Sequence, residues 1–515
     1  MAFYGFHRYV LVYLYLKHRH SGYLPKSRYE ELPRVTIQLP MYNEDVVAER
    51  VINATCQIDY PLDKLEIQVL DDSTDHSAEI ARKAVEVWAA KGFPIKYIHR
   101  TNREGYKAGA LAEALKVATG EFVAIFDADF VPPPDMLRNV MDYFTEDKVG
   151  MVQVRWDHLN RDASLLTRSQ AIFLDGHFVI EHTARNRSGR FMHFNGTAGV
   201  WRRTTIDDGG GWQHDTLTED LDLSYRCQLK GWQFVYLPQF SAPAELPPEM
   251  IAFKQQAHRW TKGSMQTGLK LLPRILRSKL PASVKWEAFF HLSNTIVYPL
   301  MVILVLLLYP AFFAAVSPFK PHSWGQYIFS LSLFILATCS ASTFFIVGQR
   351  ELFGKEAGWK ALLYMPALMG IGVGVSLNNT KAVFEAFRSH FFGGKGKKRQ
   401  SGEFVRTPKY GTSGLARTNF KKQKVFTFSR LALPIIEVAF GIYMVCNLWI
   451  SVWYLCGLWP GQPKSGIATV PFLMIFAGGF LYVGFGSLYA LWQMHRRQEQ
   501  MAAEVAEPVD VTLSA

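Results

Sequence analysis

Hydrophobic and polar positions divide the chain into two unlike halves. Between residues 30 and 280, short apolar runs alternate with amphipathic stretches. The runs Val35–Leu39, Glu66–Leu70, Lys96–His99, Phe122–Phe126 and Met151–Val154 read as strands. Helices are expected from Asp45, over His76–Ala90, over Tyr106–Ala118 and from near Pro134. This alternation predicts an α/β unit with an open, mainly parallel sheet.

Farther along, the pattern becomes that of membrane segments. Phe289–Ser317 and Gly325–Gly348 contain no Asp, Glu, Lys or Arg, and each can cross ~30 Å of hydrocarbon. Leu431–Leu458, interrupted by Glu437, and Ile467–Trp492 are two further runs. Ala361–Leu377 is apolar but ends in Asn378-Asn379 between basic flanks. The positive-inside rule therefore prefers four spans, with residues 361–387 interfacial or re-entrant. Glu437 has two readings, a helix cap near the cytosolic face or an intramembrane carboxylate facing a polar passage. At the start, the uninterrupted apolar stretch Tyr9–Leu16 is too short to span. It reads either as an interfacial helix or as the cytosolic end of a spanning helix that begins upstream.

The expected organisation is an N-terminal helix within residues 1–30, a soluble domain over 31–280 and a membrane region over 281–497. A polar, disordered tail is expected over 498–515. The net charge of +12 gathers largely between Arg388 and Lys424. Beside membrane segments, such a loop suits anionic lipid or a phosphorylated ligand better than nucleic acid, which is not an expected partner. The five cysteines are scattered and form no C-x-x-C pair, which implies reduced thiols and a cytosolic soluble domain.

In an open parallel sheet, ligands bind beyond the carboxyl ends of the strands. Here those ends read "PMYNED" (40–45), "DDSTD" (71–75), "HRTNREGYKAGAL" (99–111) and "DADF" (127–130). Four polar ends on one edge are hard to assign to helix caps alone. No G-x-G-x-x-G and no G-x-x-x-x-G-K-[ST] is present, so dinucleotide binding and P-loop hydrolysis lose their main support. Two carboxylates at a strand end, Asp127 and Asp129, suit a hard divalent cation such as Mg²⁺ or Mn²⁺, which neutralises a diphosphate leaving group. Asp71 or Asp72 is then placed to accept from a base or ribose, and Tyr42 to pack against the base. In "TLTEDLDLSYRCQLKGW" (216–232), Thr218 reads as an N-cap. Glu219 and Asp220 are either acids favoured by the helix dipole or, for Asp220, a general base. In "QQAHRWTKG" (255–263), Trp260 either packs at an interface or stacks on a sugar while Arg259 meets phosphate.

Taken in order, "DDSTD", "DADF", Thr218-Glu219-Asp220 and Gln256-Ala-His-Arg259-Trp260 resemble the D, D-x-D, T-E-D and Q-x-x-R-W series of processive membrane glycosyltransferases of family 2. That group contains cellulose synthase. "FNGTAGVWRR" (194–203) and "QQAHRW" look closest to its cellulose-synthase-like A and C branches, the glucomannan 4-beta-mannosyltransferase-like enzymes, and their bacterial relatives. The resemblance implies a GT-A type nucleotide-sugar-binding domain followed by helical transmembrane segments, in a bacterial inner (plasma) membrane with the catalytic domain cytosolic. It implies an inverting hexosyltransferase that moves glucose from UDP-glucose, or mannose from GDP-mannose, onto a growing β-linked polysaccharide and extrudes it, with accessory export subunits as possible partners. A non-processive enzyme adding one sugar to a membrane lipid is the alternative.

By the same resemblance Asp220, with Glu219, is catalytic. Asp127 and Asp129 hold the metal. Pro40, Tyr42, Glu44, Asp71, Asp72, Lys107 and Asp127 line the donor site. Asn195, Gly196 and Thr197 border the acceptor, and Gln256, Arg259 and Trp260 face diphosphate and acceptor. "FVRTPK" (404–409) resembles the gating loop F-x-V-T-x-K, with Thr407 and Lys409 closing over the nucleotide and Arg406 standing where the pattern has Val.

Overall fold

The computed structural model describes residues 1–314, 335–392, 426–455 and 470–506. Seven strands form one sheet: β1 Val35–Met41, β2 Leu65–Asp71, β3 Ile95–His99, β4 Phe122–Ile125, β5 Val149–His158, β6 Gly199–Arg202 and β7 Gln233–Ala244. Their order across the sheet is β3-β2-β1-β4-β6-β5-β7. The run of β4, Phe122–Ile125, is unbroken because both faces of the sheet are covered. Along β4 successive side chains alternate between two cores. Phe122 and Ala124 join Ile37 and Val69 on one side, while Val123 and Ile125 join Leu111 and Trp201 on the other.

The register brings the polar strand ends together. Parallel pairing sets Met41 beside Asp71, Asp71 beside His99, and Gln38 beside Ile125. The edge expected from the sequence is therefore a real edge.

Two strands lay outside the sequence expectation. β6 is only four residues long and antiparallel to both neighbours. Reversal means that it enters the sheet where β4 leaves it, which delivers Asn195-Gly196-Thr197 to the DADF edge. β7 carries Pro238 and Pro243, which argue against a strand on pattern alone. It lies at the sheet's outer edge, where proline costs no ladder bond, and its pairing with β5 shifts register between Val154 and Arg155.

Among the described residues, three helices are long and apolar enough to cross a membrane: Ala282–Leu308, Phe428–Trp453 and Val470–Gln500. A bent pair, Lys355–Gly374 and Ser376–Phe392, meets at 41° and counts as a fourth if it is one span. Only the helical part from residue 335 onward of the expected 325–348 run is described. The N-terminal helix, Ala2–His18, packs Leu11, Leu14 and Tyr15 against Phe344, Phe345 and Ile180, while Phe3, Phe6 and Tyr13 stay exposed.

Glu437 is neither a helix cap nor open to a passage. It lies inside the helix Phe428–Leu455, fully buried, 2.6 Å from Lys254 of the long helix Met250–Arg277. Lys254 also donates to Ser487 at 3.2 Å, and its carbonyl accepts from Asn378 at 3.0 Å. Polar groups from four helices thus meet at one crossing, which fastens the "QQAHRW" helix to the apolar bundle. Removing one member strands a buried charge. Glu437→Gln should therefore cost about 3–5 kcal/mol, and the double change Lys254→Leu/Glu437→Leu much less. Thermal unfolding of the detergent-solubilised protein checks this ordering.

Candidate active site

The cleft at the polar edge is lined by Pro40, Tyr42, Glu44, Asp72, Lys107 and Asp127, with Asp129 and Arg259 across from them. DADF is a turn rather than an extended strand end. The Phe130 N–H donates to the Asp127 carbonyl at 3.0 Å, and the Val131 N–H to that of Pro243 at 2.9 Å. Both acids line the cleft with a backbone turn between them, so their placement does not come from the two-residue period of a strand. Buried Phe130 packs on Trp156 with ring centroids 5.2 Å apart, which anchors the turn to the core. The Asp127 N–H donates to Thr197 Oγ1 at 2.9 Å, which ties DADF to the loop before β6.

Lys107 stands in the first turn of the helix Tyr106–Val117. It forms an ion pair with Asp127 and donates to the Gly196 carbonyl at 3.0 Å. A Cβ placed on Gly196 would lie 3.1 Å from Asp220 Oδ2 and 3.4 Å from Lys107 Nζ. With a φ of +82°, Gly196 lets the loop pass between the two groups. Asp220 and Glu219 open the helix Glu219–Leu229, although Thr218 caps it by position only. Its hydroxyl meets that of Thr267 at 3.2 Å and makes no cap bond to the helix.

Four carboxylates, Asp127, Asp129, Glu219 and Asp220, face two cationic side chains, Lys107 and Arg259. The Asp220 carboxyl is crowded by protein, while part of the residue's surface stays accessible. Burial, then the charge of Glu219, raises it to about 7. Glu219 is raised as well, chiefly by burial against the opposing pull of Lys107. Burial pulls Lys107 down, but Asp127 and Glu219 overcome this and raise it, so it stays charged. Carboxylate oxygens in excess of the cationic side chains are the donor set a hard divalent cation takes, so the residues fit such an ion.

Several of the expected residues have protein partners that define their surroundings. Asp71 is turned inward, accepting from Tyr97 Oη at 2.6 Å and from the Ser73 N–H at 2.9 Å. Asp72 accepts from Arg100 Nε at 2.8 Å. Arg100 in turn donates to the carbonyls of Glu104 and Tyr106, so Asp72 shapes the loop that presents Lys107. One face of Tyr42 is covered by the Arg103 guanidinium, 3.3 Å from the ring centroid. Arg259 reaches the cleft, Gln256 lies one turn before it, and Trp260 stands beside it 37% exposed. Thr407 and Lys409 lie outside the described residues.

Arg103, Tyr106 and Gly263 were not foreseen. Arg103 and Tyr106 have φ of 43° and 51°, as does Asn43 at 54°; left-handed non-glycine residues bordering one cleft are a mark of built-in strain. Gly263 has a packing reason. A Cβ there would lie 2.6 Å from Thr218 Cγ2 and 2.8 Å from its backbone nitrogen. Next to it, Gln266 Oε1 accepts from the Leu217 N–H at 3.0 Å. The "QQAHRW" helix thus presses on the T-E-D loop one turn beyond Arg259.

The family described as "Glycosyltransferase like family 2" matches residues 33–263. Those residues form a family 2 glycosyltransferase domain. Among curated relatives of the domain, glucomannan 4-beta-mannosyltransferase 1 of Oryza sativa subsp. japonica is 45% identical over 260 residues, 50% of this chain and 50% of that protein. Glucomannan 4-beta-mannosyltransferase 2 of Arabidopsis thaliana is 45% identical over 255 residues, 48% of this chain and 47% of that one. Probable glucomannan 4-beta-mannosyltransferase 10 of Arabidopsis thaliana is 38% identical over 335 residues, 62% and 59% of the two chains. The chain spans about half the length of the curated relatives it matches. Among solved structures, a mannosyltransferase from Pyrobaculum calidifontis in complex with GDP-Man and Mn²⁺ has a TM-score of 0.49 at 23% identity, covering 68% of this chain and 95% of that one. S. aureus TarS 1–349 with UDP-GlcNAc has a TM-score of 0.36 at 15% identity, covering 69% and 90%. The glycosyltransferase domain and the apolar helices after it describe a membrane protein.

Two outcomes follow for the glycosyltransferase domain. Gly263→Ala forces the T-E-D loop to move and should lower turnover by about a hundredfold, with donor binding less affected. Steady-state kinetics alongside nucleotide binding separates the two effects. Asp220 is harder to ionise folded than unfolded, so its contribution to stability is present below its unfolded value of 3.8 and lost as pH rises through about 7. Asp220→Asn should therefore match the parent's unfolding midpoint in acid and exceed it increasingly up to neutral pH, with no further gain above.

Proposed function

We propose that the chain is an inverting membrane hexosyltransferase that builds a β-linked polysaccharide from a nucleotide-diphosphate sugar, with its catalytic domain facing the cytosol. The observation that carries this reading is the approach of Asp220 Oδ2 and Lys107 Nζ to one point beside Gly196, next to the Asp127 ion pair. A proton acceptor and a phosphate-binding cation are needed within one sugar's length of each other, and this spacing supplies them. The relatives that match the domain are mannosyltransferases by name, which favours GDP-mannose over UDP-glucose as donor.

In the proposed reaction an acceptor hydroxyl attacks the anomeric carbon from the face opposite the diphosphate. The new C–O bond forms as the bond to the phosphate oxygen breaks, so an α-linked donor gives a β-linkage. Asp220 takes the hydroxyl proton; at about 7 it is roughly half ionised in neutral solution, so it can serve as the base and return the proton readily to water. Glu219, beside it, disfavours any second negative charge and so helps hold Asp220 at that value. Lys107 and Arg259 meet the nucleoside diphosphate that leaves. Asp127 and Asp129 would hold Mg²⁺ or Mn²⁺, whose chemistry is to neutralise the diphosphate. Tyr42, with Arg103 on one face, leaves its other face for the base. The apolar helices provide the route by which a lengthening chain leaves.

Incubation of the purified protein with radiolabelled GDP-mannose or UDP-glucose, with Mg²⁺ or Mn²⁺, should yield an alkali-resistant polymer, from GDP-mannose in preference. A single sugar on an organic-extractable lipid would instead identify the lipid-modifying alternative. Asp220→Asn should reduce transfer by roughly a thousandfold while nucleotide binding persists.

A further inference from the structure

We propose that His177, His182 and His193 form a hydrogen-bonding cage that fixes the side-chain amide of Asn195, and that the cage positions the acceptor side of the site. The proposal rests on the glycosyltransferase reading above. His182 Nε2 lies 2.6 Å from Asn195 Oδ1, while Asn195 Nδ2 lies 3.2 Å from His177 Nε2 and 3.1 Å from His193 Nε2. Each polar atom of the amide thus meets an imidazole nitrogen. Both Nδ2 hydrogens are engaged and the backbone N–H donates to Gln153 Oε1 at 3.2 Å, so among its side-chain atoms Asn195 has one remaining Oδ1 lone pair to offer an acceptor.

The tautomers follow from the partners. An amide NH₂ needs acceptors, so His177 and His193 must be unprotonated at Nε2, and His182 must donate from Nε2 to the carbonyl oxygen. His177 then carries its proton on Nδ1, where Glu181 Oε2 accepts at 2.9 Å. For a neutral His177 the opposite orientation of the amide would require Nε2–H on that ring and leave its Nδ1 lone pair facing the Glu181 carboxylate, so the Glu181 contact favours the first arrangement. Burial, with the neighbouring imidazoles and Arg185, keeps His182 and His193 well below the ordinary histidine value and hence neutral.

The backbone is built for this meeting. Residues 176–182 form a helix widened to i→i+5 hydrogen bonds. In an α-helix, residues five apart diverge by about 140°. The wider turn brings His177 and His182 to one side, with ring centroids 4.5 Å apart. The cage is tied to the membrane end of the molecule through buried groups. Glu181 accepts from Arg185 Nη1 at 3.1 Å, and Arg185 Nε donates to Glu287 Oε1 at 2.9 Å. Glu287 Oε2 meets His7 Nε2 at 2.9 Å. Glu287 lies in the helix that starts the first apolar span, and His7 in the N-terminal helix.

On its other side the cage adjoins the chemistry directly. Gly196 follows Asn195 and lies between Lys107 and Asp220, and Thr197 takes the Asp127 N–H. Asn195 is bonded directly to Gly196, so a side chain held by the cage fixes one end of the backbone that makes these contacts. The three histidines reach the site through their hydrogen bonds to Asn195 and are positioning residues. Their nitrogens lie within 4.8 Å of one another, a spacing that would also suit a metal ion, but here the Asn195 amide occupies the centre.

The test compares the full-length wild type with His182→Leu, His182→Gln and Asn195→Asp. It reads transfer to polymer, KM for the donor, acceptor-free hydrolysis of the nucleotide sugar and bound zinc. His182→Leu should lower the transfer kcat by about tenfold or more and raise hydrolysis relative to transfer, with donor KM changed less than about twofold. His182→Gln, which keeps an N–H donor, should recover transfer to within about threefold of wild type. Asn195→Asp, nearly isosteric, presents an oxygen to two lone pairs and should show the same split even if His182→Leu does not fold. Wild-type transfer by His182→Leu or Asn195→Asp, equal losses in Leu and Gln, or stoichiometric zinc needed for activity would each overturn the cage. A wild type that turns over no nucleotide sugar would overturn the glycosyltransferase reading instead.

Discussion

The site is governed by an excess of negative charge in a partly enclosed cleft. Asp127, Asp129, Glu219 and Asp220 crowd around Lys107 and Arg259. All four cannot be ionised without a further cation or a retained proton. Burial, together with that constraint, explains why Asp220 holds its proton to near neutrality, and the constraint explains why the two acids of the turn suit a divalent cation. It also explains why Lys107 remains charged despite its burial. The same imbalance favours a counter-charge in the cleft.

The rest of the architecture serves to hold these charges together. Parallel register aligns the ends of β1 to β4, and the one reversed strand, β6, feeds the Asn195–Thr197 loop back to the same edge. The long helix Met250–Arg277 then closes the far side. Gly263 lets it touch Thr218, and Lys254 anchors its beginning to Glu437, Ser487 and Asn378. A single helix therefore spans from the buried polar crossing to the acids of the T-E-D loop. Motion in the apolar bundle has a short mechanical path to the catalytic edge.

Much of this was legible in the sequence because period-two and period-3.6 patterns report burial. The first five strands and the acidic ends that follow them were visible for that reason. β6 escaped because four residues carry too little pattern, and β7 because its prolines look like breakers away from the context of an edge strand. Among site residues, identity was easier to read than direction. Asp71 and Asp72 stand side by side, yet one supports Tyr97 inside the fold and the other a loop beside the cleft. Asn195 was expected at the acceptor, but its amide is taken up by three histidines spread over 17 residues, a contact no local pattern encodes. Arg103 and Gly263 gave no signal because their roles arise only from tertiary proximity.

The balance of charge can be measured without catalysis. Titration of the purified protein with Mn²⁺, followed by electron paramagnetic resonance in the presence of GDP, tests it most directly. One Mn²⁺ should bind per chain, with affinity lowered by about tenfold or more in Asp129→Asn and raised when Lys107 is replaced by Met. Binding that is indifferent to both substitutions would contradict the account, because the excess carboxylates would then not be what holds the cation.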